Sequence, residues 1–129
     1  MKLLVFGNPL VEKDNLALKL LPKLKEQFPD IEFKEIEPTE NLEAEIENKK
    51  LRILDVVEGI ENVMVINNLN KLNIIKSCSM HDFDLAYNLK LLKKIGKLKE
   101  VEIIGVPMGI GEGKAFEEVK KVLEKIVKK

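Results

Sequence analysis

Three side chains able to ligate a metal stand near the ends of apolar runs in this 129-residue chain: Asp14, Asp55 and His81. His81 is the only histidine, and it lies in Ser79-Met80-His81-Asp82-Phe83-Asp84-Leu85. Asp14 comes after the strand-like run at residues 2–6, and Asp55 lies in a second such run at residues 51–57. In a parallel α/β sheet the ends of such runs share one edge. Two carboxylates and one imidazole converging there would form a site for a divalent transition ion. A closed structural site would use four protein ligands, so three leave a position for water or a substrate group.

Each of the three also has an ordinary role. Asp14 suits a helix N-cap. Asp55 suits a strand end bonded to nearby backbone N–H groups, and His81 a partly buried residue before a helix. Taken together, all three fall where α/β proteins build clefts, at the carboxyl ends of strands.

Other chemistries fit the residues less well. Cys78, the single cysteine, is three residues from His81. Cysteine catalysis needs an imidazole within hydrogen-bond reach and an oxyanion hole. Short sequence separation supplies neither, so a semi-buried thiol is the simpler reading. One cysteine also excludes an internal disulfide and a Cys-based zinc cluster. The glycine-rich run 105–115 lacks a phosphate loop's first glycine, where Met108 stands, and its Ser or Thr, where Ala115 stands. Gly7-Asn8-Pro9-Leu10-Val11-Glu12 keeps only the first glycine of a dinucleotide fingerprint. No His-Glu-x-x-His helix and no serine-protease order is visible.

Lys plus Arg equals Asp plus Glu, 22 against 22, and Arg52 is the only arginine. That gives no electrostatic case for nucleic acid or an anionic membrane as partner. No stretch approaches the roughly 20 apolar residues of a membrane span. Met1-Lys2-Leu3-Leu4-Val5-Phe6 breaks at Gly7-Asn8-Pro9 without a small-residue cleavage site, so it reads as a first strand and not a signal peptide. The expected location is the cytoplasm. With 45% apolar residues, the chain suits one compact domain with one core.

The elements that must position the trio follow from periodicity. Residues 2–6, 31–36, 51–57, 62–67 and 101–106 read as strands. Residues 14–28 carry the helical stripe Leu16, Leu20, Leu21, Leu24 and Phe28, with Pro22 inside it. Thr39 or Asn41 caps a short charged helix through Asn48. Residues 72–77 are extended. A helix starts at Asp82 or Asp84, carries the apolar residues Phe83, Leu85, Leu89, Leu91, Leu92 and Ile95, and stops at Gly96 as its C′ residue. A last amphipathic helix runs over residues 114–127. This alternation predicts an α/β fold, a mostly parallel twisted sheet with helices on both faces. The strand pair around Gly59 adds one antiparallel edge strand.

The residues so placed resemble the hydrogenase maturation proteases, endopeptidases that trim the C-terminal tail of nickel–iron hydrogenase large subunits. Phe6-Gly7-Asn8-Pro9-Leu10-Val11-Glu12-Lys13-Asp14 is similar to the family's opening strand, its Gly-Asn-x-Leu and the acid after three more residues. Leu51-Arg52-Ile53-Leu54-Asp55-Val56-Val57 is similar to its apolar strand ending in an Asp ligand. Ser79-Met80-His81-Asp82-Phe83-Asp84-Leu85 is like its histidine at a helix start, and residues 101–108 resemble its last strand. The resemblance spans nearly the whole chain, as one domain over residues 1–129. In the family a pair of acids followed by Gly is usual after the first turn; here the run is Lys13-Asp14-Asn15. The segment between Asp55 and His81 is compact. A further acidic position after the second strand maps to Glu35 or Glu37, and Asp82 is placed to orient the imidazole.

The resemblance implies that Asp14, Asp55 and His81 form a metal-recognition site. The substrate would be a nickel–iron hydrogenase large-subunit precursor, cut after nickel insertion. The metal would then be a divalent ion, nickel contributed by the substrate. Asp55 and His81 are expected to be exposed in a cleft. Two other classes stay open. One is a non-catalytic assembly factor that binds the precursor without cleaving it, for which Lys13 is the best support. The other is a small-ligand α/β binding domain, in which the trio would lie far apart.

Overall fold

A computed structural model describes residues 1–6, 15–36, 42–57, 59–67 and 80–127, with the backbone alone over 80–86. The elements are β1 (Lys2–Phe6), α1 (Leu16–Gln27), β2 (Glu32–Ile36), a 3₁₀ turn (Leu42–Glu45), β3 (Lys50–Val57), β4 (Met64–Ile66), α2 (Met80–Lys94), β5 (Glu100–Pro107) and α3 (Glu112–Val127). The five strands lie in the order β2-β1-β3-β5-β4. All neighbours are parallel except β4, which runs antiparallel to β5 at the edge. The sequence expectation of a mostly parallel sheet with one antiparallel edge strand is met.

β3 and β5 pair over their full eight residues, from Lys50 beside Glu100 to Val57 beside Pro107. Both are buried through their last five positions. Parallel strands covered on both faces read as continuous apolar runs, and Ile53-Leu54 and Ile103-Ile104 are such runs. One face carries Leu3, Val5, Leu54, Val56, Ile104 and Val106 against α1 and α3. The opposite face carries Leu4, Phe6, Leu51, Ile53, Val101 and Ile103 against Leu89 and Leu92 of α2 and Leu42 of the 3₁₀ turn. Helices therefore cover both faces, as expected.

Local stops are set by backbone chemistry. Gly96 has φ of +82°. Its N–H donates to the Lys93 carbonyl, and the Lys97 N–H donates to that of Leu92. That is the glycine-terminated helix end read from the sequence. α1 continues through Pro22, whose ring faces solvent. The expected helix through Asn48 is instead the short 3₁₀ turn. Asn48 and Lys49 both have positive φ, and Glu47 and Lys50 exchange two backbone hydrogen bonds. This two-residue reversal turns the chain straight into β3. The extended reading of residues 72–77 lies outside the described residues.

Candidate functional site

β1 is flanked by β2 on one side and β3 on the other. The chain leaves β1 towards β2 through α1 on one face. It leaves β3 towards β5 through α2 on the opposite face. The strand order therefore reverses between β1 and β3. In open α/β sheets the crevice for ligands forms outside the carboxyl ends of the strands at that point.

Asp55 is the sixth residue of β3, next to this reversal. Leu4 pairs with Ile53, and Asp55 pairs with Gly105, which in turn pairs with Met64. Continuing the β1 register sets Phe6 on the other side of Asp55. The carboxylate thus stands in an apolar row on the face covered by α2. It is 8% exposed. This corrects the expectation of an exposed cleft acid. β3 does not end at Asp55 but continues through Val56 and Val57, which carries the residue inside the sheet's cover.

Gly105 explains how that row closes. A Cβ there would lie 3.2 Å from Ile60 Cδ1 and from Val57 Cγ2, and 3.4 Å from Ile66 Cδ1. In the sequence Gly105 stands out only as the first residue of the glycine-rich run 105–115. Its place inside β5 beside an acid is visible only once the register is known.

His81 is the second residue of α2. The other end of α2 turns at Gly96 and enters β5 at its amino end, where the Lys99 N–H donates to the Lys49 carbonyl. The helix therefore runs back across the sheet towards the carboxyl edge. Fifteen helical residues span about 22 Å, and an eight-residue strand about 26 Å. The first turn of α2 therefore reaches the carboxyl half of β3. Position 81 is about three turns before the buried Leu92, on the same helical face. Asp55 and the start of α2 thus share one face and one end of the sheet.

Asp14 lies outside the described residues. The next residue, Asn15, is the N-cap of α1 without a side-chain cap hydrogen bond. Its Oδ1 is buried, with no hydrogen-bond partner among the described residues. Of the further acidic positions, Glu35 is exposed on β2 and Glu37 lies outside the described residues. Among the described residues no three His, Cys, Asp or Glu side chains gather to hold a metal ion; neither Asp14 nor the His81 side chain is among them.

The opposite, amino edge holds a cavity of about 300 Å³ lined by Lys2, Glu45, Glu47 and Arg52 among others. Its lysines and glutamates pair with one another, whereas Arg52 lies 3.7 Å from Glu102 and keeps a buried Nε with no hydrogen-bond partner among the described residues. Lys2 Nζ lies 2.9 Å from Glu45 Oε1 and 3.4 Å from Glu47 Oε1. Lys34 Nζ lies 2.5 Å from Glu45 Oε2. The hydrogen bonds from Lys34 and then Lys2 hold the Glu45 carboxyl below its ordinary value, and Glu45 in turn raises Lys2. This cluster joins β1, β2 and the 3₁₀ turn.

Solved structures share the architecture. The hydrogenase maturating endopeptidase HybD from E. coli is 22% identical, with a TM-score of 0.66 over 97% of this chain and 93% of that one. The [NiFe] hydrogenase maturation protease HybD from Thermococcus kodakarensis is 21% identical, with a TM-score of 0.69 over 98% and 99%. A hydrogenase 3 maturation protease is 19% identical, with a TM-score of 0.58 over 94% and 87%. None of the curated proteins matches by sequence. The sequence model for the hydrogenase maturation proteases matches residues 36–129, a span that holds Asp55 and His81 and begins after Asp14. With the family's pattern running through β3, α2 and β5, this chain belongs to the hydrogenase maturation protease family.

Proposed function

We propose that the chain, acting as one domain over residues 1–129, is the endopeptidase that removes the C-terminal tail of a nickel–iron hydrogenase large-subunit precursor. Cleavage follows nickel insertion and takes place in the cytoplasm. Asp14, Asp55 and His81 recognise the nickel that the substrate brings. The observation that carries this reading is the position of Asp55. It is a buried acid beside the strand-order reversal, on the face and at the end where α2 begins with His81. No helix among the described residues is long and apolar enough to cross a membrane.

The donor set fits the role. Two carboxylate oxygens and one imidazole nitrogen suit a divalent transition ion. Three protein ligands leave positions for the substrate's own ligands. Nickel held this way supplies Lewis acidity towards the scissile carbonyl or a water. Asp55, fixed in a strand paired on both sides, offers its carboxylate with little freedom to rearrange. His81, in the first turn of a helix, is likewise held by regular backbone.

The test is to incubate purified protein with nickel-loaded and nickel-free precursor and to measure tail loss by mass spectrometry. Trimming of the nickel-loaded form alone is expected. Binding without trimming under every metal condition would instead make the protein a non-catalytic assembly factor, the role to which Lys13 points.

A further inference from the structure

We propose that α2 carries a second interaction surface, on which two copies of this chain associate through antiparallel α2 helices. α2 buries Leu89 and Leu92 against the sheet. On its outer side Tyr87 is 63% exposed, Leu91 46% and Ile95, just past the helix end, 55%. These residues are spaced i, i+4 and i+8, so they form one continuous apolar stripe. Single exposed apolar residues are ordinary, but three in one row mark a contact surface.

The charges along α2 identify the occupant. Asp82 and Asp84 are its only acids and lie in its first half; Lys90, Lys93 and Lys94 are its only lysines and lie in its second half. A second copy laid antiparallel, with Tyr87 opposite Leu91, sets position 84 opposite Lys94 and position 83 opposite Ile95. Both ends of the pair then match acid with lysine by the same two-fold operation, as an isologous interface requires. The helix dipoles also oppose favourably. A parallel pair would place lysines on lysines. The contact is confined to one helix about 22 Å long. It therefore falls below the roughly 1,200 Å² of a standard interface and gives a weak, concentration-dependent dimer. The stripe lies on the side of α2 turned away from the buried Leu89 and Leu92, so pairing does not touch the face of the sheet that carries Asp55. The inference does not depend on the proposed peptidase activity.

Sedimentation equilibrium between about 10 µM and 1 mM, the range suited to an interface of this small class, tests it. The average mass is expected to rise from 14.7 kDa towards twice that value. Leu91→Glu should weaken association by about tenfold or more, with an unchanged circular-dichroism spectrum, since Leu91 is outside the core. Lys94→Glu should weaken it, and Asp84→Lys combined with Lys94→Glu should restore it. A chain that stays monomeric at about 1 mM overturns the proposal, as does a double reversal that fails to restore association. A monomer whose Leu91→Glu variant loses precursor binding would also overturn it, and would reassign the stripe to substrate docking.

Discussion

Glu45 and Asp55 are both buried acids among the described residues, and they sit on the same face of the sheet at opposite ends. Each is 8% exposed. Glu45 lies at the amino end, over β1 and β2, where Lys2 and Lys34 reach it from neighbouring strands. Its burial is explained by the fold alone: it ties the 3₁₀ turn to two strands. Asp55 lies at the carboxyl end of a central strand, between Phe6 and Gly105, beside the strand-order reversal. Its strand is paired on both sides, with β1 and with β5, so the residue is held at the edge where the strand order reverses. Burial alone therefore does not separate the two acids; what separates them is position, one at the amino edge of the sheet and one beside the strand-order reversal.

The largest expected effect breaks this comparison directly. Asp55→Asn keeps the shape and removes the charge. Processing of nickel-loaded precursor should fall more than about 100-fold, since even outer-shell changes at metal sites cost 10–100-fold. His81→Ala should do the same. Because Asp55→Asn keeps the shape of the side chain and one acceptor oxygen, the midpoint of thermal unfolding should fall far less than processing does. Full processing by Asp55→Asn would remove the distinction between the two acids.

Glu45→Gln should give the reverse pattern. It leaves two lysines short of their partner and should cost about 1–3 kcal/mol, the range for hydrogen bonds to charged groups. That corresponds to a fall of roughly 3–10 °C in melting temperature for a domain of this size. Processing by the folded protein should be unchanged. A Glu45→Gln variant that melts like the parent would show that the cluster is solvated in solution and contributes nothing.

The same cluster sets a pH dependence. The Glu45 carboxyl is held below its ordinary value of 4.5 by Lys34 and Lys2. Its contribution is therefore complete above about pH 4.5 and is lost as pH falls through the lowered value. Lys2 is raised above 10.5, chiefly by its hydrogen bond to Glu45. Its contribution is complete below that value and is lost as pH rises through the raised one. The stability gap between parent and Glu45→Gln should be widest between about pH 5 and 10 and should narrow on both sides. Denaturant titrations at pH 3, 7 and 11 would measure it; a gap that stays constant would remove the ion pairs as its source.

Much of the fold was legible because its signals are local. The apolar runs of β3 and β5, the alternation of strands with helices and Gly96 after α2 each act over a few residues. Three things were not. Glu45 reads as one more charge in an acidic segment, because Lys2 and Lys34 are 43 and 11 residues away. Leu91 and Ile95 stand among the apolar residues of this helix without any sign of which meet the sheet, and both are exposed. α2 is apolar on more than one side, and periodicity alone cannot say which side meets the sheet. Asp55 was placed on the correct strand but expected in the open, because the register that surrounds it comes from residues 50 positions away in β5. Of the candidate site, the sequence located Asp55 at the end of the sheet where α2 begins; Asp14 lies outside the described residues.

The smallest expected effect probes how tightly the row around Asp55 is packed. Gly105→Ala adds one methyl between Ile60 and Val57, at 3.2 Å from each. Two terms oppose. Replacing glycine inside a strand gains about 0.5–1 kcal/mol by restricting the unfolded chain. Forcing a methyl into a packed core costs about 1–3 kcal/mol. Ile60 Cδ1 ends a flexible side chain, but Val57 Cγ2 sits on a stiff β-branched one, so the cost belongs near about 2 kcal/mol and a net loss of about 1 kcal/mol is expected. The strain falls on the strand beside Asp55, so processing should drop further than stability does. Equal losses of stability and processing in Gly105→Ala would mean that the row around Asp55 is ordinary core. A larger loss of processing would show that its packing holds the carboxylate in place.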